Sequence, residues 1–383
     1  MIKPNISKVP VSGIRKYFDM LNEMDDVISL SIGEPDFVTP TKIMDSAHVA
    51  MDKGHTHYSS NMGFITLRQE IAGYMKNRYG LNYSPSNQVL VTVGASEAID
   101  LALRCLVGPG DEVVIPEPSF VAYKGCATFT GADVITVDLD SDNGFKLSAK
   151  KLESAITDKT KVVIFPFPNN PTGSVMRKDE MKDIVDVLKD KDLVIISDEI
   201  YSELTYNGEH VSIATFDEIY EKTLVINGFS KSYAMTGWRL GYACGNEELI
   251  SAMNKIHQYA IMCAPSISQY AATEALKSCA DDVQYMVERY NQRRRILVNG
   301  LNEIGLDCFE PEGAFYTFPS VKNTGMASDE FCEKLLREEH VLVVPGSAFG
   351  TCGEGFVRAT YASSIDNILE ALERMDRFLK KRI

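Results

Sequence analysis

The sequence predicts an α/β fold, with a large domain on a mainly parallel sheet between helices and a smaller α+β domain beside it. Three observations predict it. Short apolar runs rich in Val and Ile alternate with stretches of helical period from Val89 to Cys244. The runs are apolar throughout rather than alternating with polar residues, as strands covered on both faces are. After about residue 280 the texture changes to short strands among amphipathic helices.

Taken in order, residues 1–30 read as an arm that ends in a short apolar strand, Val27–Leu30. Gly33-Glu34-Pro35-Asp36-Phe37 is rich in turn residues, and Gly33 can let backbone approach a ligand closely. His57-Tyr58-Ser59-Ser60 is a polar loop. Phe64 to Tyr79 is a helix by its apolar residues at 64, 67, 71 and 75, and Gly80 stands where a C-terminal cap belongs. Val89–Val93 is a strand that runs into Gly94 and a strong helix sequence. Such a helix start leaves the backbone N–H groups of Ala95 and Ser96 free, which suits a phosphate.

Glu112–Pro116 and Asp133–Val137 are strands, with Phe120 and Tyr123 between them. Lys161–Pro166 is another, ending at Asn169-Asn170-Pro171-Thr172-Gly173. Lys178 to Asp190 is a helix, apolar at 181, 184, 185 and 188. Leu193–Ser197 is a strand that finishes at Asp198-Glu199-Ile200-Tyr201. Thr223–Ile226 and Leu240–Cys244 flank Asn227 to Arg239, a connection that holds Ser230, Lys231 and the chain's one tryptophan, Trp238. Beyond it, Val283 to Ile304 is a long amphipathic helix. Gly313–Phe318, Val341–Pro345 and Gly355–Thr360 read as short strands, and Asp329–Glu339 and Asp366–Lys381 as helices.

Composition narrows the function. The chain has 383 residues, 45% of them hydrophobic, enough for a large core and two domains. A formal net charge of −14 repels polyanions, so no nucleic-acid partner is expected. The eight cysteines form no C-x-x-C pair, and the histidines no H-E-x-x-H, so neither a metal site nor a disulfide framework is expected. No apolar run is long enough for a membrane span, and the first residues lack the apolar block of a signal peptide. A cytoplasmic protein is the expectation.

In a parallel sheet, ligands bind beyond the carboxyl ends of the strands. Gly94, Asn170, Asp198 and the Ser230–Lys231 pair all stand just after an apolar run. Together they suit pyridoxal 5'-phosphate held as a Schiff base, which needs an amine, an acid at the ring nitrogen, donors to the phenolic oxygen and a phosphate cup. Lys231 offers the amine and Asp198 the acid. Asn170 and Tyr201 can donate to the phenolic oxygen. Ser230, Arg239 and the Ala95 and Ser96 N–H groups can hold the phosphate. Phe120 can lie against the ring.

These motifs resemble the class I/II aminotransferases of pyridoxal-phosphate fold type I, across the whole chain. Asn169-Asn-Pro-Thr-Gly173, Ser197-Asp-Glu-Ile-Tyr201 and Ser230-Lys-Ser-Tyr-Ala-Met-Thr-Gly-Trp-Arg239 carry the likeness in order and spacing. The resemblance implies a seven-stranded sheet, with residues 41–280 as the cofactor-binding domain and residues 1–40 and 281–383 as arm and small domain. It implies a homodimer with shared active sites, in which Tyr58 reaches the neighbouring subunit's phosphate. It also implies that Arg358 grips the substrate α-carboxylate, with Gly33 and Asn170 nearby, and that Lys231, Asp198 and Tyr201 are catalytic.

Ser197–Tyr206, Ser212–Thr215, His257–Tyr259, Ser266–Gln269 and Gly313–Tyr316 resemble the bacterial aminotransferase A branch, linked to N-acetyl-L,L-2,6-diaminopimelate in lysine biosynthesis. Related prokaryotic aspartate aminotransferases place a lysine in the phosphate-loop segment to read the distal carboxylate, and Ser96 holds that position here. The expected reaction moves an amino group from an L-amino acid to 2-oxoglutarate. Aspartate or aromatic transamination and a cystathionine β-lyase with the same cofactor stay open, since the same residues serve each. Ser148-Ala-Lys-Lys151 and Ser141-Asp-Asn143 match serine acyl-transfer motifs, but in the wrong order and without a following K-T-G. They read better as a polar loop capping a helix from Lys150. A non-enzymatic regulator on this fold would need a DNA-binding extension, and only about thirty residues precede Gly33.

Overall fold

A computed structural model describes residues 4–9 and 24–382. Much of the expected arm lies outside the described residues. The part described gives a short helix α1 (Pro4–Lys8) and strand β1 (Ile28–Ser29).

The seven-stranded sheet is present. Its strands are β2 (Val89–Thr92), β3 (Glu112–Glu117), β4 (Asp133–Asp138), β5 (Thr160–Phe165), β6 (Val194–Asp198), β7 (Thr223–Gly228) and β8 (Gly241–Cys244), in the order β2-β8-β7-β6-β5-β3-β4. Only β8 runs against its neighbours. The other pairs are parallel. The connection from β7 to β8 holds no α-helix, so the chain returns beside itself and must pair antiparallel. Because β8 lies between β2 and β7, those two point the same way, and β2, β5, β6 and β7 end at one edge.

Twelve-residue helix α2 (Thr41–Asp52) and helix α3 (Ile65–Tyr79) precede the sheet. Gly80 closes α3 with φ +74°, the left-handed cap expected of it. The helices α4 (Ala95–Leu106), α5 (Ala122–Thr130), α6 (Ala149–Ala155) and α7 (Lys178–Leu188) are interleaved with the strands. Strand residues alternate between two cores. Val114, Val163, Phe165 and Ile195 pack with Met181, Ile184, Val185 and Leu188 of α7. Val113, Val162, Ile164 and Ile196 pack with Ala98, Ile99 and Ala102 of α4. Both faces are therefore covered, which is why the runs are apolar at every position. Each fully buried Val or Ile contributes about 1.5–3 kcal/mol. Ser141–Asn143 is a single 3₁₀ turn, and Ser148 precedes α6 without a side-chain cap bond, so the expected capping is positional only.

Two helices were not among the sequence expectations, α8 (Glu247–Ala260), whose apolar residues at 249, 250, 253 and 256 do follow a helical period, and α9 (Ser266–Ser278), whose pattern is weak. The buried stripe of α9 is largely Ala271, Ala272 and Ala275, which seat against Ile43 and Ala47 of α2. Small residues make a close helix contact but a weak periodic pattern.

The remaining elements are α10 (Ala280–Glu303), β9 (Tyr316–Thr317), α11 (Ser328–Glu339), β10 (Val341–Leu342), β11 (Val344–Pro345), β12 (Val357–Thr360) and α12 (Ile365–Lys380). Antiparallel β11-β12-β9 forms one sheet, and β1 pairs parallel with β10, which ties the segment before Gly33 to the C-terminal elements. Two expected strands are corrected. Gly313–Phe318 pairs regularly only at Tyr316–Thr317, because Ala314 has φ +57° and Gly313 abuts Pro168 too closely for a side chain. Val341–Pro345 divides at Val343 between two sheets, while all five side chains stay buried.

Candidate active site

A cavity of about 350 Å³ lies at the shared strand edge. The sheet delivers Ala95 and Ser96 after β2, Asn170 after β5, Asp198 and Tyr201 at and after β6, and Ser230 and Lys231 after β7; all line the cavity. Gly33, Phe120, Arg239 and Arg358 complete the expected set there. Tyr58 is not among the lining residues. It is 80% exposed on a loop pinned by Gln269, whose Nε2 donates to Ser59 Oγ at 3.0 Å and whose Oε1 accepts from Phe64 N–H at 2.7 Å.

Lys231 is held by the burial of its own loop. Phe229, Tyr233, Met235 and Leu240 sink into the core between α3 and the sheet, leaving Lys231 facing the cavity. Its Nζ donates to Gly33 O at 2.6 Å. Burial lowers the amine, the nearby Arg358 and Arg239 lower it further, and Glu34 and Asp198 oppose them. The net result is about 8, against an ordinary 10.5. A neutral amine is thus accessible near physiological pH, as a nucleophile or proton acceptor requires.

Asp198 is 5% exposed. Its Oδ2 accepts from Tyr123 OH at 2.7 Å and its Oδ1 from Ile200 N–H at 3.2 Å. Burial raises the carboxyl to about 6, with the two hydrogen bonds pulling back. Burial also pushes the Tyr123 and Tyr201 phenols well above their usual range, so both stay protonated donors. Tyr201 OH lies 2.9 Å from Tyr316 OH.

Arg358 projects from β12, 4% exposed, into the opposite wall. It donates from Nη1 to Asn170 Oδ1 at 2.9 Å and from Nη2 to Ser31 O at 2.6 Å, between the rings of Tyr316 and Phe349. Its Nε is buried without a partner. With its oxygen on Arg358, the Asn170 amide keeps its N–H groups for another acceptor. Arg239 follows a 3₁₀ turn with φ +51° and donates to Thr236 O at 2.8 Å. Gly94, φ +77°, lies so close that a Cβ there would sit 2.7 Å from Arg239 Nη2. The positive φ is what favours glycine here; a Cβ would in addition push the tip of the flexible Arg239 side chain aside.

Sequence reasoning gave no role to Tyr123, Tyr316, Glu34, Thr236 or Phe349, which also line the cavity. Tyr123 had a usable signal. Phe120 and Tyr123 are three apart at the entry to α5, a spacing that turns both toward one side. Tyr316 ends the Gly313–Tyr316 segment that carried the branch resemblance but was given no role, and Phe349 comes from a remote segment and had no signal. Thr236 Oγ1 donates to Glu34 Oε2 at 3.0 Å, joining the Gly33 segment to the Lys231 loop.

The arrangement gathers a depressed amine, a buried acid, a free helix N-terminus beside a guanidinium, and a second guanidinium with an open donor. It suits capture of an anionic carbonyl compound and proton transfer next to a carboxylate.

Comparison with known proteins agrees. The family model for aminotransferase class I and II matches residues 25–375. The chain is 50% identical over 376 residues to a Bacillus subtilis (strain 168) protein named "Putative aminotransferase YugH", covering 98% of this chain and 97% of that one. It is 44% identical over 383 residues to "Probable N-acetyl-LL-diaminopimelate aminotransferase" from the same organism, covering 100% and 97%. The solved structure of an aromatic aminotransferase from Pyrococcus horikoshii OT3 superposes with a TM-score of 0.92 at 42% identity, covering 95% of this chain and 99% of that one.

Proposed function

The chain belongs to the class I and II aminotransferases, enzymes dependent on pyridoxal phosphate, and from that premise we propose the roles of its residues and its substrates. The observation that carries the reading is the convergence of Lys231, Asp198, Arg239 and Arg358 on one cavity. The residues present fit the cofactor. A bare Gly94 stands beside Arg239, leaving space at the helix start for a phosphate, and the raised Asp198 carboxyl suits a cationic neighbour. The cofactor, when bound, supplies an aldehyde for amines and a ring that accepts electrons from the carbon losing its proton.

Lys231 would hold the cofactor through its aldehyde until a substrate amine displaces it. With its Nζ free, Lys231 would take the proton from the substrate Cα and deliver it to the cofactor carbon, as general base and then general acid. Asp198 keeps a proton on the ring nitrogen, and Tyr123 and the Ile200 N–H fix the carboxylate that does so. Tyr201 and Asn170 donate to the phenolic oxygen. Ser230, Arg239 and the Ala95 and Ser96 N–H groups hold the phosphate, and Phe120 lies against the ring. Arg358 receives the substrate carboxylate, which would satisfy its open Nε, with Gly33 at the same wall. Tyr58 completes the phosphate site of a partner in a homodimer; its exposure on a pinned loop supports this. Residues 41–280 act as the cofactor-binding domain, and residues 1–40 and 281–383 as arm and small domain. Among the described residues no helix is long and apolar enough to cross a membrane. Eight scattered cysteines without a C-x-x-C pair fit reduced thiols, and on that ground we place the enzyme in the cytoplasm.

The acceptor is 2-oxoglutarate and the lead donor N-acetyl-L,L-2,6-diaminopimelate. The relative of that name at 44% identity supports it. Among the described residues the cations lining the cavity are Lys231, Arg239 and Arg358, each with another role, and Ser96 offers none, so the distal carboxylates of aspartate, of the diaminopimelate derivative and of 2-oxoglutarate all lack a dedicated cation there and the ranking of donors rests on the relative's name. Glutamate formation from 2-oxoglutarate, measured with this donor, aspartate, phenylalanine, tyrosine and cystathionine, tests the reading. The diaminopimelate derivative should give the highest kcat/KM. A higher value with aspartate or an aromatic donor would overturn the substrate, and pyruvate released from cystathionine without any acceptor would indicate lyase activity.

Arg358→Lys should raise KM for donor and acceptor together. An ammonium cannot make the planar two-pronged contact, so we expect a loss of about 10²-fold in kcat/KM for every α-carboxylate substrate. A loss confined to one donor would move Arg358 to side-chain recognition.

A further inference from the structure

The helix start that faces the cavity carries an acid in its first turn. Glu97 belongs to α4 just past Ala95 and Ser96. A carboxylate there suits the helix dipole but opposes a second anion at the same place. Its side chain, however, is not among those lining the cavity. It turns back along the chain, where Oε2 accepts from Val93 N–H at 2.5 Å and Oε1 accepts from His257 Nδ1 at 2.8 Å. His257 comes from α8 and is fully buried, and its Nε2 has no partner.

The turn is held from the other side as well. Thr92 Oγ1 donates to Gly94 O at 2.9 Å. Gly241 of β8 packs so tightly that a Cβ there would lie 2.5 Å from Ala95 N and 2.7 Å from Gly94 C. With Gly94 at φ +77°, the backbone from Val93 to Ala95 is held by these three contacts, and only the one from Glu97 depends on a charged side chain. That one also decides where the Glu97 carboxylate points.

We propose that Glu97 and His257 are positioning residues that shape the Val93–Ser96 turn to receive the cofactor phosphate and direct the Glu97 carboxylate away from it. The inference rests on the reading of the Ala95 and Ser96 N–H groups as phosphate donors. A mere staple between α4 and α8 would change stability but not recognition of the phosphate. The two readings therefore separate on ligand chemistry.

The experiment titrates the cofactor-free full-length chain with pyridoxal phosphate and with pyridoxal, which has the same aldehyde and ring but no phosphate. Quenching of Trp238, the chain's one tryptophan, reports binding. The wild-type chain should bind pyridoxal phosphate far more tightly than pyridoxal. Glu97→Ala and His257→Leu should weaken pyridoxal phosphate about tenfold, the scale of one lost charged hydrogen bond, and leave pyridoxal unchanged. Glu97→Gln, which keeps an acceptor for Val93 N–H, should recover most of that loss. If both variants keep the wild-type ratio of the two affinities, the inference is wrong, whatever happens to the melting temperature. Should His257→Leu bind neither compound, the ratio in Glu97→Ala decides. A wild-type chain that does not distinguish the two compounds would instead remove the phosphate role of Ala95 and Ser96, and the inference with it.

Discussion

Lys231→Ala should leave a folded protein with amino transfer reduced by at least about 10³-fold, within the range lost with a general acid–base group. The expectation follows from what the side chain does and does not touch. Among the described residues it makes one hydrogen bond, to Gly33 O, and it faces the cavity rather than the core. Its burial disfavours the ammonium form, so removing it relieves an unfavourable charge and the melting temperature of the cofactor-free chain should hold or rise. Steady-state rates beside circular dichroism check both halves. The pH dependence gives an independent reading. Because the folded amine sits near 8 rather than 10.5, its proton leaves at lower pH than from a surface lysine. In the cofactor-free chain, labelling of Lys231 by an amine-reactive reagent should rise with pH and level off above about 8, while exposed lysines continue to rise. Transamination at the wild-type rate in Lys231→Ala would remove the role given to this residue.

The sheet was legible because burial on both faces leaves a mark on every residue of a strand. Val162-Val163-Ile164-Phe165 and Val194-Ile195-Ile196 need no partner to be recognised. Their polarity changes at the carboxyl ends, and that change located Asn170, Asp198 and Lys231 before any geometry was known. What stayed hidden depends on contacts between distant segments. Tyr316 reaches the site only because the chain bends at Ala314, and Phe349 because its loop folds onto β3. Helix α9 was hidden for a different reason, since its alanine face carries no strong hydrophobic period. Glu97 illustrates a third kind of loss. In sequence it is one acid among several at helix starts, and only the backward turn to Val93 and His257 distinguishes it.

Asp198→Asn is the second change with a large expected effect, and the sharper test of chemistry. Asparagine keeps the volume and one of the two acceptor oxygens: its Oδ1 can still accept from Ile200 N–H, while its NH2 replaces Oδ2 and the Tyr123 hydroxyl must turn to accept from it, so the cavity wall should survive with one hydrogen bond reversed. What it loses is the negative charge. In a site where burial already raises the carboxyl to about 6, that charge is unfavourable alone and favourable only beside a cation. On the proposed reading its value would lie in keeping a proton on the cofactor's ring nitrogen, so that the ring could accept electrons as the substrate loses its Cα proton. An interaction that strengthens toward the transition state acts on kcat more than on KM. We therefore expect kcat to fall by about 10²–10⁴-fold with KM little altered, and a primary isotope effect to appear with Cα-deuterated donor as proton removal becomes limiting. Asp198→Glu keeps the charge but moves it, and should fall between the two. The pH sign also follows. A raised carboxyl is ionised only above its folded value, so capture of pyridoxal phosphate by the cofactor-free wild type should weaken as pH falls through about 6, and Asp198→Asn should lack that acid limb. A change in KM alone, with kcat and the isotope effect as in wild type, would make Asp198 a binding residue and leave the ring nitrogen without a partner.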